Sequence, residues 1–595
     1  MTKKLFAIIL CLTFIFCSGI VYTSAGSEDN VNGSLTVAYG SDDLSAAAGK
    51  LAEYLENVTG TRPRVSAQPA DGKNILIKTD PGKAGKGYTI KPENGNIVIT
   101  GSSLYDTVRG VYGFLEKYCG VRCYASGLTV YSQNTITLPD ADGYSYTPFF
   151  EFTDTDAASA RDTEYSLFNG LNSEEHRNIP AEMGGMIPYI SGMCHTLTSQ
   201  FCDKSIYFDE HPEYFSKRGG KRVSDQLCLT NPDVLKIVSD EVFALLREKH
   251  DPAAELQIIS LTQADNFNFC RCDKCKAVDK KYGSHAGTML EFVNAVAREV
   301  KAAGYDNVAI DTFAYQYTRS VPDGIVPEDN VIVRLCSIEC CFSHPFDDPA
   351  CPANADFYED LEGWSKICKR LYIWDYCTDF TNYIGLFPDF GVLQRNIQIF
   401  YEHNVKGIYE EGNYTNPPRD TEFNNLRSYM IARLLCDPYC DITAERNAFL
   451  AAYYGEGAPY MAQYLDIVTA NASEKHLGIY QPMRDVLSLS CNEIKDCDAL
   501  WENAKNAAQG EYKQRVLDSE LCWRWWKMKN RASEFSSLLT FKDEQKKLNA
   551  EIDATGVARW EFGGYRAFFV ELYQSISAVI YPLVHFVLDY ILYRV

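Results

Sequence analysis

Four apolar runs in this chain end in carboxylates. Ile258, Ile259 and Leu261 lead into Thr262, Gln263, Ala264 and Asp265; Ile332, Leu335 and Ile338 lead into Glu339; Tyr372, Ile373 and Trp374 lead into Asp375; Gly407, Ile408 and Tyr409 lead into Glu410 and Glu411. Cleaving a glycosidic bond needs one protonated carboxyl to donate to the leaving oxygen and one ionised carboxylate to attack or to activate water. Apolar walls and neighbouring charges separate the pKa values of two such groups. The interleaved rings of Tyr315, Tyr317, Trp374, Tyr376 and Tyr409 are flat platforms for sugar faces. Structural roles compete: Asp265 could cap its loop, Glu339 could pair with Arg334, and Trp374 could be core.

Cys270, Cys272 and Cys275 form a C-x-C-x-x-C cluster directly after Asp265. With Cys228 as a fourth ligand, thiolates at this spacing could hold zinc; one disulfide plus a spare thiol is the alternative. Either would be structural and would stiffen the Asp265 loop. His195, in Gly192-Met-Cys-His-Thr196, could hydrogen-bond a sugar hydroxyl or simply satisfy its loop. Neither a G-x-S-x-G elbow nor an H-E-x-x-H helix is present, and no cofactor is expected.

The elements that would carry these residues alternate from Phe149 onward. Candidate strands are Phe149–Phe152, Met186–Ile190, Gln226–Leu229, Leu256–Leu261, Val308–Phe313, Val331–Cys336, Arg370–Trp374 and Gly407–Tyr409. Helices lie between them: Asn231 and Pro232 make an N-cap and first-turn proline ahead of Val234, Val238, Val242 and Leu246, and Leu290, Val293, Val296 and Val300 form another stripe. Eight strands alternating with helices predict an α/β fold, a (β/α)8 TIM barrel, over residues 147–415, and the ends of its strands would form one mouth. A small α/β domain is expected over 30–146. A helical domain with Trp523, Trp525 and Trp526 in its packing is expected over 416–566, and a hydrophobic tail over 567–595.

The chain has 595 residues and a net charge of -22, with no basic run, which argues against nucleic acid as a partner. Residues 1–25 read as a signal peptide cleaved after Ala25, so the protein is expected to be secreted. Cleavage leaves 19 of the 21 cysteines, an odd number. Leu572–Leu588 is 17 residues without Asp, Glu, Lys or Arg, at the lower limit for a membrane span. A buried final element is favoured over an anchor; surface attachment through the tail stays open.

Several stretches in order resemble one family: His211-Pro-Glu-Tyr-Phe215, Gln226-Leu-Cys-Leu-Thr-Asn-Pro232, the Gln263–Cys275 loop, Phe313-Ala-Tyr-Gln-Tyr-Thr-Arg319, Trp374-Asp-Tyr376 and Val405-Lys-Gly-Ile-Tyr-Glu410. Over residues 35–480 the chain is similar to the bacterial domain of unknown function 4838 family, whose members look like secreted, glycoside-hydrolase-like barrels. These are similar to family 67 α-glucuronidases and often carry the small α/β domain found there and in family 20 hexosaminidases. The resemblance implies Asp265 in the position of the general acid, and Asp375 and Glu410 as the pair. The resulting expectation is a secreted glycosidase acting on an oligo- or polysaccharide, with Asp265, Asp375 and Glu410 catalytic. His195, Tyr315, Tyr317, Glu339, Trp374, Tyr376 and Glu411 would bind substrate. A non-catalytic glycan-binding protein and a zinc-dependent hydrolase are the other readings.

Overall fold

A computed structural model describes residues 35–83, 85–175, 178–413, 419–530 and 538–556. The expected signal peptide and the hydrophobic tail lie outside them. No helix among the described residues is long and apolar enough to cross a membrane.

The N-terminal unit holds strands β1 (Thr36–Tyr39), β2 (Arg64–Ser66), β3 (Asn74–Thr79), β4 (Tyr88–Glu93), β5 (Asn96–Gly101), β6 (Val121–Ala125), β7 (Leu128–Tyr131) and β8 (Tyr144–Tyr146). Six form one sheet in the order β2-β1-β3-β5-β4-β8, parallel from β2 to β5 and antiparallel beyond; β6 and β7 form a hairpin. Helices α1 (Ser45–Thr59) and α2 (Leu104–Cys119) bury Leu51, Leu55, Val108, Val111 and Leu115 against it. Ser103 caps α2 by accepting from the Asp106 amide, and Gly120 ends it at φ 64°. A side chain at Gly101 would meet the Thr107 backbone at 2.2 Å, so the strand end approaches the helix only without a Cβ.

The central sheet is wholly parallel. It contains β9 (Phe152–Thr155), β12 (Gln257–Ser260), β13 (Val308–Ala314), β14 (Val331–Cys336), β15 (Arg370–Tyr376) and β16 (Val405–Glu411), in the order β12-β13-β14-β15-β16-β9. It curves into a half-barrel. On its concave face Phe152, Ile258, Ala309, Ile332, Tyr372 and Tyr409 pack with Tyr189 and Met193; on the convex face Ile259, Ile310, Val333, Ile373 and Ile408 meet the helices. Two short segments span the gap between β9 and β12. The Asn172 amide donates to the Thr153 carbonyl (3.1 Å), Ile187 to Asn172 (2.8 Å) and Ile190 to Ile258 (2.9 Å).

Three expected strands sit differently: Met186–Ile190 is not a continuous strand and meets its neighbours only through the single bridges Ser173–Ile187 and Tyr189–Ile258. The first expected strand begins at Phe152 rather than Phe149, because Phe149 and Phe150 turn out to pack on Tyr401. Gln226–Leu229 is not in the central sheet. Its first residues end β11 (Lys221–Leu227), which pairs antiparallel with β10 (Phe215–Arg218) around Gly219 and Gly220, both at positive φ, a two-residue hairpin turn.

Helices α3 (Thr163–Asn169), α4 (Lys204–Tyr207), α5 (Pro232–Lys249), α6 (Asp273–Tyr282), α7 (His285–Ala302), α8 (Pro352–Ile367) and α9 (Leu393–Glu402) connect these strands. Beyond β16 the described chain is helical: α10 (Asn424–Cys436), α11 (Ile442–Tyr454), α12 (Ala458–Ala472), α13 (Met483–Val486), α14 (Cys491–Ala507), α15 (Gly510–Asn530) and α16 (Leu538–Asp553). Trp523 and Trp526 stack at 5.1 Å inside this layer and Trp525 is buried.

Candidate functional site

The C-terminal ends of the parallel strands converge on a mouth whose floor is a buried ion pair. Arg334 of β14 and Asp311 of β13 meet at 3.0 Å on the concave face. The guanidinium lies 4.9 Å from the Tyr189 ring centre and 5.5 Å from that of Trp374.

Above this floor stands Asp265, five residues past β12. It is exposed, and its Oδ1 accepts from the Tyr315 hydroxyl at 2.8 Å and from Gln316 Nε2 at 3.0 Å. Both bonds fall on Oδ1. Burial and the Asp265 charge push the Tyr315 hydroxyl well up, which keeps it protonated and donating. The Gln263 side chain fixes the same loop by donating to the Tyr315 carbonyl (3.1 Å) and to Thr318 Oγ1 (2.8 Å).

Glu411 ends β16, four strands from β12. Its Oε2 accepts from Trp374 Nε1 at 2.7 Å. Tyr315, which holds Asp265, and Trp374, which holds Glu411, both pack on Phe313, at 6.0 and 5.5 Å; burial, then the charges of Asp265 and Glu411, raises the Tyr480 hydroxyl, and burial pushes the Cys194 thiol up to about 12. Tyr376 and Tyr480 both meet the Phe380 ring, at 5.9 and 5.8 Å. The mouth thus sets two carboxylates among Tyr315, Trp374, Tyr376 and Tyr480.

His195 lies beside them. Its Nδ1 is 2.7 Å from the Gln263 carbonyl, which only accepts, so Nδ1 carries the hydrogen and Nε2 is the acceptor of the neutral ring. Its ring meets Phe313 and Tyr315 at 5.8 and 6.5 Å. His195 and Gln316 hold φ of 56° and 52°, a left-handed backbone that costs about 1 kcal/mol or more for a side chain with a Cβ, and both are at the mouth.

Asp375 and Glu410 are placed elsewhere. They are register partners on β15 and β16, and strand alternation puts them on the face of Ile373 and Ile408, opposite Trp374, Tyr409 and Glu411. Both are buried. Asp375 accepts from Ser337 Oγ, and burial pushes it up to about 7; burial, with the charges of Asp375 and Asp389, raises Glu410 well above the usual carboxylate range. Their side chains do not enter the mouth with Asp265.

The remaining expected residues divide. Glu339 pairs with Arg319 at 3.0 Å at the exposed rim, not with Arg334. Tyr317 turns away to Phe269 (5.1 Å) and His285 (6.0 Å), lining a small cavity behind the Asp265 loop with Leu227 and Cys270. Sequence reasoning missed Gln316, Cys194 and Tyr480. Gln316 had a signal in its place between two tyrosines already singled out, and Cys194 in its place next to His195.

The sulfurs of Cys228, Cys270, Cys272 and Cys275 all lie within 4.8 Å of one another. Cys228 is 3.7 Å from Cys272 and 3.9 Å from Cys275. A tetrahedron with Zn–S of about 2.3 Å has an edge of about 3.8 Å, so this set can hold one zinc ion with no place for a catalytic water. The Lys217 amide donates to Cys270 Sγ at 3.3 Å and the Cys275 amide to Cys272 Sγ at 3.5 Å, support that orients thiolate ligands. The cluster ties β10 to the Asp265 loop, where Arg218 also donates to the Phe267 carbonyl at 2.7 Å.

No curated protein matches the sequence. Among solved structures, the family 89 glycoside hydrolase of Clostridium perfringens, in complex with its substrate, is 12% identical, with 85% of this chain and 65% of that chain covered and a TM-score of 0.48. A family 138 enzyme targeting pectin rhamnogalacturonan II is 10% identical, covering 87% and 88%, at 0.41. The N-acetyl-β-hexosaminidase of Streptomyces plicatus is 13% identical, covering 71% and 90%, at 0.40. All three are distant likenesses. A family model described as a domain of unknown function, DUF4838, matches residues 124–466, a stretch that contains the whole central sheet and the mouth up to Glu411. With more than half of its length matched by that model, the chain belongs to the DUF4838 family.

Proposed function

We propose that this protein is a secreted glycoside hydrolase acting on a complex glycan, with Asp265 and Glu411 as its carboxylate pair. The parallel sheet and the two segments at 172–174 and 187–190 form the ring of a (β/α)8 barrel, and the substrate enters at its mouth. The observation that carries the reading is that Asp265 and Glu411, from strands four apart, are held by Tyr315 and Trp374, two rings that pack on the same Phe313. Two carboxylates facing one aromatic-lined space are what glycoside cleavage requires.

In this reading Tyr315 and Gln316 occupy Oδ1 of Asp265, and its Oδ2 faces the leaving glycosidic oxygen in the role of general acid. Glu411, held by the Trp374 indole, attacks the anomeric carbon or takes the proton of the attacking water. Trp374, Tyr376 and Tyr480 hold the sugar faces, and His195 Nε2 accepts from a hydroxyl. Asp375 and Glu410, on the other face, support the sheet, and the cysteine cluster stiffens the acid's loop.

The test is sugar release from uronic-acid-bearing and hexosamine-bearing oligosaccharides by the parent, Asp265→Asn and Glu411→Gln. Release that falls at least a hundredfold in both, with folding unchanged, supports the pair and names the sugar. Binding without release by the parent would instead favour a glycan-binding protein.

A further inference from the structure

Away from the mouth, a second group of soft ligands gathers where the helical layer meets the sheet. Cys341, His344 and Cys351 lie between β14 and α8, and His476 follows α12. One ligand atom from each lies within 4.8 Å of all the others. Cys341 Sγ is 3.2 Å from His344 Nδ1, and Cys351 Sγ is 3.5 Å from His476 Nδ1. Tetrahedral zinc, with Zn–S about 2.3 Å and Zn–N about 2.0–2.1 Å, separates a sulfur from a nitrogen ligand by about 3.5 Å.

The surroundings fit ligands rather than a chance cluster. His344 Nε2 lies 2.9 Å from the Ser473 carbonyl, which can only accept. That bond puts the hydrogen on Nε2 and leaves the Nδ1 lone pair facing Cys341, the second contact by which a ligating imidazole is oriented. The Leu477 amide donates to Cys341 Sγ at 3.4 Å, as amides do to thiolates. Two thiolates and two neutral imidazoles also balance a divalent cation, so the metal-loaded site would carry no net charge.

We propose that Cys341, His344, Cys351 and His476 bind one zinc ion that pins the segment after α12 to the loop after β14. Four protein ligands leave no open position, so the ion is structural. The pinned segment runs on with the Phe342 amide donating to the Leu477 carbonyl (2.7 Å) and the Phe380 amide to Ile479 (2.8 Å). It then presents Tyr480 to the mouth, 58% exposed and four residues beyond His476. The ion therefore sets the position of an aromatic that belongs to a different layer from the carboxylates.

The competing chemistry is a Cys341–Cys351 disulfide, which export would favour. The test uses the full chain without a histidine tag, grown with zinc and dialysed, comparing the parent with Cys351→Ser and His476→Ala. Zinc per chain is measured by mass spectrometry of the metal, and disulfides by peptide mapping under non-reducing conditions. Each variant is expected to hold one zinc equivalent fewer than the parent. After cobalt exchange, the parent-minus-variant spectrum should show the visible bands of a tetrahedral site with mixed sulfur and nitrogen ligands. Equal zinc in all three proteins, or recovery of Cys341 and Cys351 joined in the parent, overturns the proposal. Should Cys351→Ser fail to fold, His476→Ala decides alone, because His476 is exposed and outside the core. The count is made without substrate, so it stands whether or not the chain cleaves glycans, and it is a difference, so the Cys228 cluster does not enter it.

Discussion

Exchanging Glu411 for glutamine, beside the same exchange at Glu410, sets two adjacent carboxylates against each other. They are consecutive in β16, so the pleat sends them to opposite faces. Glu411 is held by the Trp374 indole at 2.7 Å over the mouth, whereas Glu410 lies buried opposite Asp375. A positioned acid or base contributes roughly 10²–10⁴ in rate, so Glu411→Gln should cost about 3–5 kcal/mol of transition-state stabilisation. At Glu410 burial already favours the protonated carboxyl, and an amide replaces it with a neutral group of the same shape. The rate there should change less than about tenfold, which is about 1.4 kcal/mol. The assay is kcat/KM for release from the most active oligosaccharide, with thermal melts to show that both variants fold. A hundredfold loss in Glu410→Gln with the melt unchanged, beside a Glu411→Gln protein that retains its rate, would refute the assignment of faces.

Trp374→Phe removes the indole donor from Glu411; a hydrogen bond to a charged group is worth about 1.5–3 kcal/mol, and the half-buried site puts the expected loss of kcat/KM at the lower end, about tenfold. Asp375→Asn should change the pH dependence of stability rather than the rate. Burial pushes Asp375 up to about 7 in the folded chain, so its contribution is fully present below the unfolded value near 4 and is lost as pH rises through about 7. Denaturant midpoints at pH 5 and pH 8 should therefore differ less in the variant than in the parent, by an amount on the order of a few kcal/mol in stability; an unchanged difference would count against a buried, protonated Asp375. Arg427→Met strips the cation from Asp389 (2.8 Å) and Glu422 (2.7 Å), all three buried, and should cost about 3–5 kcal/mol at neutral pH. Because Asp389 is pushed up to about 6 by burial even with the arginine present, part of that cost should be recovered by pH 5 as the freed carboxyls take up protons, read by the same midpoints.

The strands of the central sheet were legible for the same reason that its faces were not. A parallel sheet covered on both sides reads as an unbroken apolar run, so Val331–Cys336 and Arg370–Tyr376 announce themselves as strands. The alternation that would mark an inward residue is missing from such a run. Asp375 against Tyr376, and Glu410 against Glu411, could not be sorted until register set Asp375 against Glu410 and gave Tyr409 to the concave cluster. Asp265 escaped the ambiguity because it stands in a loop beyond the strand. There its surroundings, Tyr315 and Gln316, come from the next βα connection, as in a barrel mouth. The third expected strand differs because of turn chemistry: Gly219-Gly220 makes a hairpin, and the apolar stretch that follows pairs back on β10 instead of entering the central sheet.

What stayed invisible in the sequence is long-range assembly. Tyr480 comes to Phe380 at the mouth from beyond α12, and His476 comes to Cys351 across 125 residues, a separation at which no ligand spacing can be recognised. Cys270, Cys272 and Cys275 were legible as a cluster because three ligands sit within six residues; Cys341 and His344 have a comparable spacing, but their partners arrive from other elements. The two clusters nonetheless do corresponding work on different elements. One fastens the loop that carries Asp265, the other the segment that carries Tyr480, and each adds soft ligands from distant stretches of chain to hold a functional side chain in place.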